Sequence, residues 1–300
     1  DVERSRGLGD VYKRQIPIYV AMDSADTWAN PWLFKLDEKN CPTQVAGCPP
    51  DGFSATGQLW GNPLYNWEVH RNSGYEWWIK RIANCFRLYD VVRIDHFRGF
   101  DEYYAIPYGD ATAENGWWEK GPGINLFRAI SASLGDREII AEDLGYMTDS
   151  VKRLVEESGY PNMKVIEFAF DERDTGNASD YLPHNYPRNC VVYTGTHDNE
   201  TLLSWLEDIT PAERRQVRKY LNNFKDSGKE LCNDLICLVM QSVANLCIVP
   251  MQDYLGLDNS ARMNQPSTLG KNWKWRLKEG QFTAELQKEM LELATRYGRR

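Results

Sequence analysis

The sequence predicts an α/β fold built on a parallel sheet. Short apolar runs alternate with longer segments of helical period along the whole chain, which is the pattern of βα units. No run approaches the roughly 18 apolar residues of a membrane span. The chain has 300 residues, 42% hydrophobic and 26% charged. That is globular composition, long enough for two domains or one large barrel.

Six strands are expected, at Ile16–Ala21, Val91–Ile94, Glu138–Ala141, Lys164–Phe170, Cys190–Thr194 and Ala244–Pro250, each an apolar run of strand length. Helices are expected between them. Tyr75–Tyr89 carries Trp78, Ile79, Ile82 and Phe86 at helical spacing, and Gly123–Leu134 follows. Thr148–Ser158 has Thr or Asp at its start, which suits an N-cap, and Pro211–Asn223 has proline in its first turn. Thr201–Trp205, Lys229–Ser242 and Thr283–Tyr297 complete the set. Asp23–Asn66 is so rich in Pro, Gly, Asn and Trp that it reads as a long irregular loop of the functional kind. Residues 1–15 (DVERSRGLGDVYKRQ) have neither helical nor strand period and no apolar signal-peptide core, so they read as a foreign or unstructured lead-in.

The formal net charge is −8. An acidic chain argues against nucleic-acid binding and against attraction to anionic membranes. Seven cysteines without a Cys-x-x-Cys pair give no zinc signature and no disulfide framework, and fit reduced thiols of a cytoplasmic protein. The 11 tryptophans suit either a core or stacking surfaces for sugar rings.

Polar clusters follow three apolar runs. VVRI ends in Asp95-His96, IIA in Glu142-Asp143 and VVYTGT in His197-Asp198-Asn199. In a parallel barrel the C-terminal strand ends share one face, so three carboxylates would converge there. Arg93, two residues before Asp95, disfavours a divalent metal beside it and favours an ionised Asp95. One ionised and one protonated carboxyl is the equipment of glycosyl transfer.

The segments IPIYVAMDSADTWANP, GCPPDGFSATGQLWGNPLYNW, VVRIDHFRGF, IIAEDLG, YLPHNYP, VVYTGTHDNETL and SARMNQP resemble the 4-alpha-glucanotransferases (amylomaltases) of glycoside hydrolase family 77, in order and from Ile16 to near Arg300. The resemblance implies a (βα)8 TIM barrel, cytoplasmic location, no cofactor and no metal. It also implies retaining transfer of α-1,4-glucan segments to the 4-hydroxyl of an acceptor glucan or glucose. Malto-oligosaccharides and starch- or glycogen-derived glucans would be the partners. By motif, Asp95 resembles the nucleophile, Glu142 the general acid/base and Asp198 the transition-state stabiliser. Arg93, His96, His197, Gln58, Trp60 and Asn264 resemble sugar-binding residues. The two reacting carboxyls of a retaining enzyme stand about 5–5.5 Å apart.

Two departures bear on the expectation. The family has Gly-Asp before the PIYV strand, where this chain has Arg14-Gln15. Strands three to eight of the barrel are accounted for, and the first two are not. Residues 16–300 therefore read as a partial catalytic barrel truncated at its N-terminus, with a substrate-covering loop around 41–67, and the isolated chain is expected to be poorly active. The competing readings are an α-amylase-like glucan hydrolase and an inactive glucan-binding fragment.

Overall fold

The computed structural model describes residues 13–50, 54–145, 147–172, 178–225, 227–266, 268 and 270–299. Among them ten strands run in chain order: β1 (Lys13–Ile16), β2 (Gln44–Cys48), β3 (Gln58–Pro63), β4 (Val91–Ile94), β5 (Glu102–Pro107), β6 (Trp117–Lys120), β7 (Ile139–Ala141), β8 (Asn162–Val165), β9 (Cys190–Tyr193) and β10 (Leu246–Ile248). The chain divides into two compact units, up to Asn162 and from Met163 onward.

In the first unit β1, β4 and β7 form a parallel sheet with β4 in the centre. Both neighbours cover β4, and its Val92 and Ile94 are fully buried. Helices Glu76–Phe86, Ile124–Leu134 and Asp149–Ser158 add Trp78, Ile82, Leu126, Phe127, Ile130 and Leu154 to the same core. The last of these helices starts where the sequence indicates, with the Thr148 side chain accepting from the Val151 amide. It stops at Gly159, whose φ of 70° is the left-handed cap that glycine adopts freely.

The first strand differs from expectation. The ladder runs over Lys13–Ile16, not Ile16–Ala21, because Pro17 has no N–H to continue it. Ile18 and Tyr19 are still buried. Side chains take the carbonyls of that run instead: Tyr65 Oη and Arg81 Nη1 donate to Ile18 O at 2.8 and 3.0 Å, Arg81 Nη2 to Pro17 O at 2.7 Å, and Asn62 Nδ2 to Val20 O at 2.9 Å. Of the lead-in expected at 1–15, residues 1–12 lie outside the described residues and Lys13–Gln15 belong to β1.

The long loop is also more ordered than its composition suggests. It contains the helix Ala25–Ala29 and the strands β2 and β3, which join β5 and β6 in an antiparallel sheet of order β3-β2-β5-β6. Gly47 permits this pairing, since a Cβ there would lie 2.1 Å from Gln58 O.

The second unit has a sheet of order β10-β9-β8, with β9 and β10 parallel and β9 wholly buried. The expected strand Lys164–Phe170 is instead β8 followed by a 3-10 segment, Ile166–Phe170. Ile166, Glu167, Ala169 and Phe170 are its buried residues, at the three-residue spacing of that helix, which a short apolar run does not distinguish from a strand. Helix Pro211–Leu221 has Thr210 and Glu213 in a reciprocal capping box, and Gly228–Met240 buries Leu231, Leu235, Ile236 and Val239. Among the described residues no helix is long and apolar enough to cross a membrane.

Candidate active site

Register brings two of the predicted carboxylates together. Ile94 pairs with Ala141, so the next residue on each strand, Asp95 and Glu142, leaves the sheet at the same level on adjacent strands, whose axes lie about 4.8 Å apart. The backbone ladder continues past both: Asp95 N donates to Ile16 O at 2.9 Å, Glu142 N to Ile94 O at 3.0 Å and Phe97 N to Glu142 O at 2.9 Å. Both side chains are therefore anchored at rigid strand ends.

Arg93 and Asp95 are two apart and share one face of the strand. Arg93 is buried, and its Nη1 lies 3.1 Å from Asp95 Oδ1. Glu142 behaves differently. Burial is the largest influence and raises its carboxyl to about 7; the Asp95 charge pushes in the same direction, while Arg93 opposes it. Its oxygens each accept a backbone bond, Oε2 from His96 N at 2.6 Å and Oε1 from Leu144 N at 2.9 Å. These bonds favour the ionised form but do not outweigh desolvation. The pair thus combines an ion-paired carboxylate with a neighbouring carboxyl that is about half protonated near neutrality.

His96 adopts the left-handed conformation, φ 54°, strained for a residue with a Cβ. The strain has a use, since this backbone directs the His96 amide to Glu142 Oε2. Burial, aided by Arg98, lowers the imidazole to about 3, so the ring is neutral. Trp60 meets it edge-on with ring centres 4.8 Å apart, and Trp60 Nε1 donates to Gln58 Oε1 at 3.1 Å. Trp60 keeps 36% of its surface exposed, and Gln58 is exposed beside it. Trp60 is thus partly exposed with its indole N–H hydrogen-bonded, unlike the core tryptophans Trp67 and Trp78.

The other three predicted residues form a cluster of their own in the second unit. Past β9, His197 Nε2 lies 3.2 Å from Asp198 Oδ2, and Asn264 Nδ2 donates to Asp198 Oδ1 at 2.5 Å. Arg262, which sequence reading passed over, donates from Nη2 to Asp198 O at 2.6 Å and from Nε to Asn264 O at 3.0 Å. Its signal was its place two residues before Asn264 in the ARMN motif. Trp273 is a second addition, its ring centre 5.1 Å from that of His197. Asp198 is therefore clasped, its carboxylate by an amide and an imidazole and its carbonyl by a guanidinium.

The 4-alpha-glucanotransferase family profile matches residues 4–283. The chain belongs to glycoside hydrolase family 77. A 4-alpha-glucanotransferase of Streptococcus pneumoniae is 50% identical over 285 residues, covering 95% of this chain and 55% of that protein. The chloroplastic/amyloplastic 4-alpha-glucanotransferase of Solanum tuberosum is 43% identical over 302 residues, 100% of this chain and 51% of its own length. The amylomaltase of Streptococcus agalactiae, solved in complex with acarbose, superposes with a TM-score of 0.92 at 40% identity, over 99% of this chain and 59% of that one. The family 77 chain described here thus spans little more than half the length of these relatives.

Proposed function

We propose that this chain carries the reacting carboxylates of a retaining 4-alpha-glucanotransferase on a (βα)8 barrel, with β1, β4, β7, β8, β9 and β10 as strands three to eight. Asp95 attacks the anomeric carbon of an α-1,4-linked glucose while Glu142 protonates the departing glycosidic oxygen. A covalent glycosyl-enzyme forms. Glu142, now ionised, takes the proton of an acceptor 4-hydroxyl, which displaces Asp95. Two inversions restore the α configuration. Asp198 stabilises positive charge on the ring, and Arg93, His96, His197, Gln58, Trp60 and Asn264 hold the sugars. The hairpin carrying Trp60 excludes water, so that sugar rather than water meets the intermediate. Malto-oligosaccharides and starch- or glycogen-derived glucans are the substrates, and the enzyme works in the cytoplasm.

The observation that carries this reading is the pair at the ends of β4 and β7: Asp95 ion-paired to Arg93, beside a Glu142 carboxyl raised to about 7. It is the split of protonation that a retaining mechanism requires. Two assays test it. The 300-residue chain, and a graft of it replacing the matched segment of the Streptococcus pneumoniae relative, are given maltotriose. The graft is expected to release glucose and lengthen other chains, and the chain alone to do so weakly. Products that only shorten would establish a hydrolase. Separately, Glu142→Gln treated with an α-maltosyl fluoride, which needs no acid to leave, should accumulate a glycosyl ester on Asp95. An adduct on another residue, or an inverted product, would overturn the assignment.

A further inference from the structure

Behind the Asp198 turn lies a carboxyl with no part in the steps above. Glu167 follows β8 and is only 4% exposed. Its Oε2 accepts from Asn199 Nδ2 at 2.9 Å. The other end of that amide, Asn199 Oδ1, accepts from Thr196 N at 2.9 Å and from Thr196 Oγ1 at 2.7 Å. Thr196 Oγ1 in turn accepts from Asp198 N at 3.3 Å. A chain of hydrogen bonds thus runs from Glu167 to the backbone of Asp198. Gly195 makes room for it: a Cβ there would lie 2.9 Å from Glu167 Oε1 and 3.2 Å from Asn199 Cβ.

Oε1 itself is buried and has no hydrogen-bond partner among the described residues. Among the described residues, the charged groups that act on this carboxyl are Asp253 on the helix Met251–Leu255, Glu200 beyond the turn, and Arg262. Burial and the two acids outweigh Arg262 and the Asn199 bond, and hold Glu167 well above the usual carboxylate range. Asp253 is occupied elsewhere, accepting from Thr194 Oγ1 at 2.5 Å and Leu202 N at 2.9 Å. Glu167 Oε2 receives the Asn199 amide, and a glutamine keeps an oxygen that can accept the same bond.

We propose that Glu167 is a positioning residue for Asp198: through Asn199 and Thr196 it sets the direction in which the turn presents the Asp198 carboxylate. The inference rests on the transferase reading for what Asp198 does, but not for the hydrogen-bond chain itself.

Glu167→Gln and Glu167→Ala separate the proposal from general loss of packing, measured in the full chain and in the graft described above. Glu167→Gln should keep kcat near wild type, since its amide oxygen can accept the same bond from Asn199. Glu167→Ala should lower kcat by about 100-fold, the loss a displacement of order 1 Å brings, with KM little changed. The double variant with Asn199→Ala should be no worse than Asn199→Ala alone. A Glu167→Gln as impaired as Glu167→Ala, or a double variant showing the product of both losses, would overturn the proposal. A readout without catalysis separates its failure from that of the transferase reading: the Asn199 side-chain amide resonances should be retained in Glu167→Gln and displaced in Glu167→Ala. Unmoved resonances in Glu167→Ala overturn the inference even if transfer is confirmed, and absent transfer with the predicted displacement overturns only the preceding reading.

Discussion

Glu142 and His96 sit within one hydrogen bond of each other, and burial moves them in opposite directions, the carboxyl up to about 7 and the imidazole down to about 3. Both are neutral in the acid range that suits glycosidic-bond cleavage. The plot of kcat/KM against pH should therefore fall with a limb near pH 7 as Glu142 loses its proton. Removing Arg93 by Arg93→Met takes away a cation that holds the Glu142 value down, so that limb should move to higher pH on a much lower activity. A limb that stays in place would separate Glu142 from the acid role. Glu142→Gln should reduce transfer from maltotriose by about 100-fold or more, the usual scale of a lost general acid.

At the scale of elements, the bend after β4 depends on a residue with no side chain. A Cβ at Gly99 would lie 2.7 Å from Ile18 Cδ1 and 3.1 Å from His96 Cδ2. Gly99→Ala should displace the imidazole and cost about 1–3 kcal/mol of stability, read from denaturant unfolding, with kcat/KM falling more than thermal stability suggests. The hairpin β2–β3 supplies the second prediction. Shortening it between Cys48 and Gln58 should raise the ratio of hydrolysis to transfer, and an unchanged ratio would remove it as the water-excluding element. β4 was legible residue for residue, because VVRI is a compact apolar run with a polar end. β2 and β3 were not. Gln44–Cys48 is ordered by pairing with Glu102–Pro107, far along the chain, while Pro49, Pro50 and Gly57 give the same stretch the local signature of a loop.

For the whole molecule, buried histidines and raised carboxyls pull stability in opposite directions with pH. His70 is fully buried among Tyr65, Trp67 and Trp77, and its value is lowered to about 4 from 6.5. It binds its proton more readily unfolded than folded. Its contribution is present above pH 6.5 and is lost as pH falls towards 4, about 3 kcal/mol over the full titration. Glu142, raised from 4.5, has the reverse sign, and its contribution is lost as pH rises from 4.5 towards 7. His70→Gln should flatten the acid side of the stability profile as pH falls from 6.5 towards 4, measured by thermal unfolding. An unchanged slope would show that His70 does not carry it. The tryptophans show why composition alone left their purpose open. Trp67 and Trp78 fill the core, whereas Trp60, Trp117, Trp118 and Trp273 each expose about a third or more of their surface.

The sequence by itself determined which carboxylates follow apolar strands, the arginine two residues before one of them, and the family to which the order of motifs belongs. These are local properties, written in period and spacing. Tertiary structure alone decided that Ile94 and Ala141 are in register, that Glu142 titrates near neutrality rather than as an ordinary acid, and that Glu167 stands behind the Asp198 turn. Each of these follows from desolvation or pairing between residues distant in the chain, and neither term exists until the backbone has brought them together.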